Sequence, residues 1–282
     1  GNPNCGKTTL FNRLTGSNQK IGNWPGVTVE QYHGQYIDPV LQEKIRVIDL
    51  PGCYSLVAST DMALDEKVTC DYILNANDVI YINVIDASHL SRDLYLSLQL
   101  LEMGVPVIVA LNCLDLAESA SIAIDIENLA IQLGCPVVPL IAKSGSGVQQ
   151  LKEAVRTFNY QNKYKFTPPA AIQSTVDKWQ QQCSPGQALR VIEGDVLLIQ
   201  NLVAAGTDVA ATRAELQQQI HYDLDVYIAQ YRRSEIQKIL ATAVTKHAAD
   251  KIPFGESIDN LVLHKIFGPL IFLGVMYLMF TC

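Results

Sequence analysis

The sequence predicts an α/β domain with a mostly parallel sheet, an all-α helical spacer domain behind it, and a truncated transmembrane helix at the C-terminal end. Three observations carry this expectation. Short β-branched runs alternate with helix-like segments over residues 1–160, the texture turns helical and strand-poor after Pro168-Pro169, and Ile266–Cys282 is apolar without a single charge. Strand–helix alternation implies parallel strands with helices on both faces.

Taken in order, Gly1–Gly6 reads as a glycine-rich turn that opens a helix near Lys7. Val29–Asp38 is expected as an edge strand hairpinned to Lys44–Leu50 (KIRVIDL). Val79–Asp86, Pro106–Asn112 and Pro136–Ile141 are nearly continuous apolar runs, the pattern of strands covered on both faces. Helices are expected near Leu64–Asn75, Ser91–Met103, Ile122–Leu133 and Gly147–Phe158. Beyond Thr167, helical spacing runs through Ser174–Gln182, Ala188–Glu193, Val196–Ala204, Val209–Ile220 and Leu224–His247. These read as a bundle whose polar faces are solvated, Asp223, Asp225 and Arg232-Arg233 included. At ~1.5 Å per residue the terminal apolar run reaches about 25 Å, a little short of a hydrocarbon core of roughly 30 Å. Lys246, Lys251 and Lys265 place its N-terminal side in the cytoplasm. The expected boundaries are 1–160, 161–258 and 259–282, the last an amphipathic lead-in with the start of a first membrane span. Gly1 already opens a loop motif, so the chain reads as an internal fragment whose first domain lacks its first strand.

Composition removes several classes. With 21 Lys+Arg against 28 Asp+Glu the net charge is -7, and nucleic acid, which needs a basic face, is not an expected partner. Only 17% of residues are charged and 49% are hydrophobic, which excludes disorder as the dominant state. The seven cysteines are scattered without a C-x-x-C pair, and the five histidines lack ligand spacing. Neither a disulfide framework nor a zinc site is expected.

Gly1–Thr8 (GNPNCGKT) fits G-x-x-x-x-G-K-[ST]. In such a loop, formed here by Gly1, Asn2, Pro3, Asn4, Cys5 and Gly6, backbone amides close around phosphate oxygens, and the helix dipole assists. Lys7 then reaches the β- and γ-phosphates, the Thr8 hydroxyl binds Mg2+, and Thr9 extends the contact. Asp49-Leu50-Pro51-Gly52 ends a strand, where Asp49 would hold Mg2+ through water and the Gly52 amide would sense the γ-phosphate. In Asn112-Cys113-Leu114-Asp115, the Asp115 carboxylate can accept from both N1–H and the exocyclic amine of guanine. Adenine offers no such pair. A backbone amide of Ala142-Lys143 would meet the guanine O6. Thr28, beside Gly26 and Val27 in the loop Gly22–Glu30, would complete the Mg2+ shell in the triphosphate state. The four strand-end sites lie where open α/β sheets bind ligands. Together they predict a Ras-like P-loop GTPase domain that binds GTP or GDP, with Lys7, Thr28 and Gly52 as its catalytic residues.

Gly1–Gly16 (GNPNCGKTTLFNRLTG), Gly22–Glu30 (GNWPGVTVE), Asp49–Leu56 (DLPGCYSL), Ala110–Leu116 (ALNCLDL) and Leu263–Phe280 (LHKIFGPLIFLGVMYLMF) resemble the FeoB family of bacterial ferrous-iron transporters. The resemblance implies a cytoplasmic G domain, a helical spacer linked to GDP affinity, and an iron-conducting domain in the bacterial inner membrane. It implies Fe2+ as the transported substrate, contact with membrane lipid, small cytoplasmic accessory proteins and a homo-oligomer. It also implies slow, Mg2+-dependent hydrolysis stimulated by K+, with Asn4 and the main-chain carbonyls of Gly22 and Trp24 as K+ ligands. Such a K+ would supply the charge that an arginine finger gives elsewhere.

Two departures qualify the resemblance. Cys53 follows Gly52 where a water-orienting Gln is usual, and Cys113 stands where most GTPases carry a Lys over the base. The second leaves room for some ATP. Cys5, Cys53 and Cys113 all fall in nucleotide loops, so a thiol-alkylating reagent is expected to weaken nucleotide binding. Trp24 and Tyr54 are expected as packing residues of the two switch segments. Two other readings stay open: a membrane-tethered regulatory GTPase without transport, and a K+-dependent RNA- or ribosome-assembly GTPase. Acidic charge and the terminal apolar run oppose the second.

Overall fold

Three of the β-branched runs become the parallel strands β4 (Tyr81–Asp86), β5 (Val107–Asn112) and β7 (Val137–Pro139), in the order β4-β5-β7. Every residue of β5 is buried, as its unbroken apolar run requires. A second sheet is antiparallel, with β1 (Gln19–Asn23), β2 (Glu30–Ile37) and β3 (Lys44–Asp49) in the order β1-β2-β3. These come from a computed structural model, which describes residues 1–16, 19–25, 27–159, 164–246 and 279. The expected lead-in and membrane span over 259–282 lie outside the described residues, Met279 apart. Among the described residues no helix is long and apolar enough to cross a membrane.

Helices α1 (Lys7–Thr15), α2 (Leu64–Asn75), α3 (Leu90–Glu102), α4 (Leu114–Ser119), α5 (Ile126–Leu133) and α6 (Val148–Arg156) alternate with these strands. Leu94, Leu98 and Leu101 of α3 are buried in one core with Val109 and Leu111 of β5. Leu10 and Leu14 of α1 belong to a second core with Ile108, Leu140 and Leu151. Among the described residues five helices follow: α7 (Ala170–Trp179), α8 (Pro185–Glu193), α9 (Val196–Ala204), α10 (Val209–Ile220) and α11 (Leu224–Ala243). Trp179, Ile192 and Ile228 lie in their shared core. Ile236, Ile239 and Ala243 of α11 join the core around α3 instead, and Gly1–Thr245 forms one compact unit.

The structure corrects several expectations. The loop expected from Gly22 begins two residues later, because Gln19–Asn23 pairs with β2 and sets Gly22 opposite Gln31. β2 is therefore internal to its sheet. The helix expected over Ile122–Leu133 is split into β6 (Ile122–Ile124) and α5, since Asp125 caps α5 by accepting from the Asn128 amide at 2.9 Å. The helix expected to reach His247 stops at Ala243, where the β-branched Val244 and Thr245 enter β8 (Val244–Lys246), which pairs with β6. Arg232 is no solvated residue: it is fully buried, with 3.0 Å to Glu102 and 2.7 Å to Glu193. Its place between Ile228 and Ile236 puts it on the apolar stripe of α11, where only paired carboxylates make a guanidinium tolerable.

Among the described residues β3 and β4 are each paired along one edge only. A cavity of about 520 Å³ lies against both, lined also by Leu10, Phe11, Leu96 and Leu100.

Candidate nucleotide site

The phosphate loop turns on two left-handed residues, Asn4 (φ 64°) and Gly6 (φ 97°), before α1 begins at Lys7. A Cβ on Gly6 would stand 2.3 Å from Asn112 Nδ2, so the loop closes against β5 only because that position is glycine. Gly52 is equally constrained. A Cβ there would fall 2.6 Å from Lys7 Nζ and 3.0 Å from the Pro3 nitrogen. The two loops expected to share a phosphate thus meet face to face.

Lys7 Nζ donates to the Asn2 carbonyl at 2.7 Å, and the Thr8 hydroxyl donates to Asp49 Oδ2 at 3.1 Å. Burial pushes the Asp49 carboxyl above its ordinary value, against the bond from Thr8 and the charge of Lys7. A carboxylate and a hydroxyl so placed are hard oxygen donors of the kind Mg2+ takes, so the residues fit that ion. Among the described residues no three His, Cys, Asp or Glu side chains form a metal cluster.

Asn112 joins the halves of the site. Its Nδ2 donates to the Cys5 carbonyl and its Oδ1 accepts from the Ala142 amide, both at 2.9 Å. With the Ala142 amide so engaged, the Lys143 amide is the one without a partner among the described residues. Asp115 is exposed in the first turn of α4, and its carboxylate has no protein partner among the described residues. It can receive the guanine edge.

The first switch segment is less assembled. Gly26 lies outside the described residues, and Thr28 is exposed. Gly22 sits in β1, while the Trp24 carbonyl accepts from the Val27 amide at 3.2 Å. The Trp24 ring is buried edge-on against Tyr72 of α2, at 5.3 Å, so Trp24 packs as expected. Tyr54 does not, being half exposed. Thr9 is exposed on α1. Cys5 and Cys53 are buried, and burial pushes both thiols up. These two fill space and are closed to reagents in this conformation; Cys113, at φ 61°, is partly exposed.

Sequence reasoning missed the supports of the site. Asp93 of α3, fully buried, accepts from Asn2 Nδ2 at 2.6 Å and from the Asp86 amide at 2.8 Å, anchoring the phosphate loop to β4. An acid on the apolar stripe of α3, beside Leu90, Leu94 and Ser97, was its only sequence signal. Arg13 of α1 donates to the carbonyls of Ala142 and Lys143. Arg190 and Asp195 grip the segment after Gly52 from the helical part.

This fold and this site define a Ras-like G domain built around a phosphate loop. The family profile described as ferrous iron transport protein B matches residues 1–155. The Fe(2+) transporter FeoB of Salmonella typhimurium is 40% identical over 99% of this chain and 37% of its own length. Among solved structures, the cytosolic domain of L. pneumophila FeoB is 36% identical with a TM-score of 0.75, covering 87% of this chain and 98% of that one. The cytosolic domain of T. maritima FeoB in its GMPPNP form is 30% identical with a TM-score of 0.71, covering 86% and 96%. The chain belongs to the FeoB family, and it spans 37% of the length of the curated relative it matches.

Proposed function

We propose that the chain is the GTP-hydrolysing part of a ferrous-iron uptake transporter, in which the nucleotide state of the two switch segments drives or gates the passage of Fe2+. The observation that carries this reading is the Asn112 bridge, which brings together the phosphate loop and the 142–143 loop, with the Asp115 carboxylate, unpartnered among the described residues, three positions on. Relatives carrying the name Fe(2+) transporter, and T. maritima structures in GDP and GMPPNP forms, support it.

On this reading the phosphate-loop amides and the α1 N-terminus hold the phosphates. Lys7 exchanges the Asn2 carbonyl for the β- and γ-phosphates, and the Gly52 amide bonds the γ-phosphate. Asp115 takes N1–H and the exocyclic amine, while the Lys143 amide takes O6. Thr8 and Asp49, the latter through water, would hold Mg2+, with Thr28 joining in the triphosphate state. That ion supplies positive charge against the phosphates. Asn4 and the carbonyls of Gly22 and Trp24 are the proposed K+ ligands; the Trp24 carbonyl, which accepts from the Val27 amide, keeps a second lone pair for the ion. With Cys53 buried, the attacking water is held by backbone or an outside group. Residues 1–258 lie on the cytoplasmic side of the bacterial inner membrane, where accessory proteins and a second copy are the proposed partners.

The test is Fe2+ accumulation in cells lacking other ferrous uptake and carrying the full-length protein or its Asp115→Asn variant, with Mn2+ and Zn2+ in parallel. Fe2+ uptake that disappears with Asp115→Asn at equal expression supports the reading. Uptake untouched by the variant reduces the G domain to a regulator at most. No uptake of any metal favours a membrane-tethered switch.

A further inference from the structure

The Arg13 side chain lies across the 142–145 loop. Its Nε donates to the Ala142 carbonyl at 3.2 Å, and its Nη2 donates to the Lys143 carbonyl. Its Cδ and Cζ stand 3.9 Å from where a Cβ on Gly145 would be, and Gly145 has φ 86°. Arg13 comes from the last turn of α1, whose first residue is Lys7. One nine-residue helix therefore joins the phosphate loop to the loop expected over the guanine.

A trans peptide is planar, so the carbonyl of one residue and the amide of the next point in opposite directions. The Ala142 carbonyl and the Lys143 amide share such a plane. When Arg13 holds that carbonyl from one side, the Lys143 amide is aimed away from Arg13, and it has no acceptor among the described residues. The loop is pinned on its other side as well, where Asn112 Oδ1 accepts from the Ala142 amide at 2.9 Å. Within the loop, the Ser144 and Gly145 amides both return to the Ile141 carbonyl, at 3.2 and 2.9 Å. The two outward carbonyls are left for Arg13, whose planar fork suits paired acceptors better than an ammonium.

We infer that Arg13 is a positioning residue for the base: it aims the Lys143 amide at the guanine O6 and keeps the loop closed over the bound nucleotide. The inference rests on the guanine-binding reading above. An amide donor aimed at position 6 donates to the guanine oxygen and opposes the adenine amino group, which is itself a donor. Arg13 thereby supplies discrimination where Cys113 cannot cover the base as a Lys stem would.

The experiment uses fluorescent GDP release and competition by GDP and 6-thio-GDP, whose sulfur is a weak acceptor. Proteins are the chain itself, Arg13→Ala, Arg13→Lys and Asp115→Asn. Arg13→Ala is expected to release GDP roughly tenfold faster, the scale of one lost charge-assisted hydrogen bond. Association should change little, and the preference for GDP over 6-thio-GDP should shrink several-fold. Arg13→Lys, able to serve one carbonyl, should fall between. A merely structural Arg13 would alter melting while leaving the 6-thio preference intact, and that result overturns the inference. If Arg13→Ala does not fold, the same two readouts on Arg13→Lys decide. Loss of GDP binding in Asp115→Asn with normal release in both Arg13 variants sinks the clamp alone. Undiminished GDP binding by Asp115→Asn sinks the guanine reading beneath it.

Discussion

Arg190 and Asp195 form a fully buried ion pair, 2.5 Å apart, that holds the chain just beyond Gly52. The guanidinium donates to the Leu56 carbonyl, and Asp195 Oδ2 accepts from the Ala58 amide at 3.0 Å. A further backbone bond runs from the Val196 amide to the Ala58 carbonyl at 2.9 Å. The segment expected to sense the γ-phosphate is thereby stitched to the junction of α8 and α9. Asp195→Asn keeps the side-chain shape and an oxygen to cap α9 but leaves Arg190 buried without its carboxylate. A loss of about 3–5 kcal/mol is expected in urea unfolding, the usual cost of breaking a buried pair. A loss below about 1 kcal/mol would show that the pair carries no such weight.

A second buried cluster makes a pH prediction. Glu102 lies inside the core, where burial outweighs the attraction of Arg232 and pushes its carboxyl up to about 7 from an ordinary 4.5. Between those values the folded state keeps a proton that the unfolded state releases. The corresponding stability is full below the unfolded value and is lost as pH rises through the folded one. Glu102→Gln carries no charge at any pH, and Glu193 keeps Arg232 paired. The variant should therefore gain on the parent by on the order of 2–3 kcal/mol between pH 4.5 and pH 8. Unfolding curves of the two proteins that stay parallel over that range would refute the assignment.

What the sequence could and could not reveal follows from distance along the chain. The phosphate loop, Asp49–Gly52 and Asn112–Asp115 are contiguous runs, the last two at the ends of β3 and β5, so residue type and order were enough to single them out. Leu64–Asn75, Val196–Ala204 and Val209–Ile220 carried helical spacing within themselves and emerged with the ends expected. The supports did not, because Asn2–Asp93, Arg13–Ala142 and Arg190–Leu56 are separated by 91, 129 and 134 positions. β1 escaped for another reason. Its one large apolar residue, Ile21, is 68% exposed, and an edge strand with no buried side chain among the described ones leaves no alternation to read.

Thiol chemistry should separate the three loop cysteines. Burial, then Asp86 and Asp115, push the Cys113 thiol up to about 11, but it alone of the three is partly exposed. Alkylation followed by peptide mass spectrometry at pH 8 should modify Cys113 slowly, since only about 0.1% is thiolate there, and leave Cys5 and Cys53 intact. The rate should rise about tenfold per pH unit up to the thiol's own value. Saturating GTP should slow it further. Equal modification of all three, with or without nucleotide, would contradict the burial that sets them apart.

The cavity between β3 and β4 makes the last prediction. Both strands have an edge on that side with no partner among the described residues, and Leu10, Phe11, Leu96 and Leu100 add apolar walls. Two facing edges and two helical faces are what a parallel strand buried on both sides requires. About six residues at roughly 3.3 Å each would run the length of β3 or β4. Such a strand would satisfy both ladders and bury several apolar side chains, at about 1.5–3 kcal/mol each before its own ordering is subtracted. Fusing an apolar six-residue segment ahead of Gly1, with β-branched residues at successive positions, should raise the melting temperature by several degrees. It should also reduce binding of a hydrophobic dye. The same segment with two lysines at its centre should do neither, because those charges would have to be buried against Leu10, Phe11, Leu96 and Leu100. An unchanged melting temperature with the apolar segment, or an equal rise with the lysine version, would mean that the cavity does not take a strand.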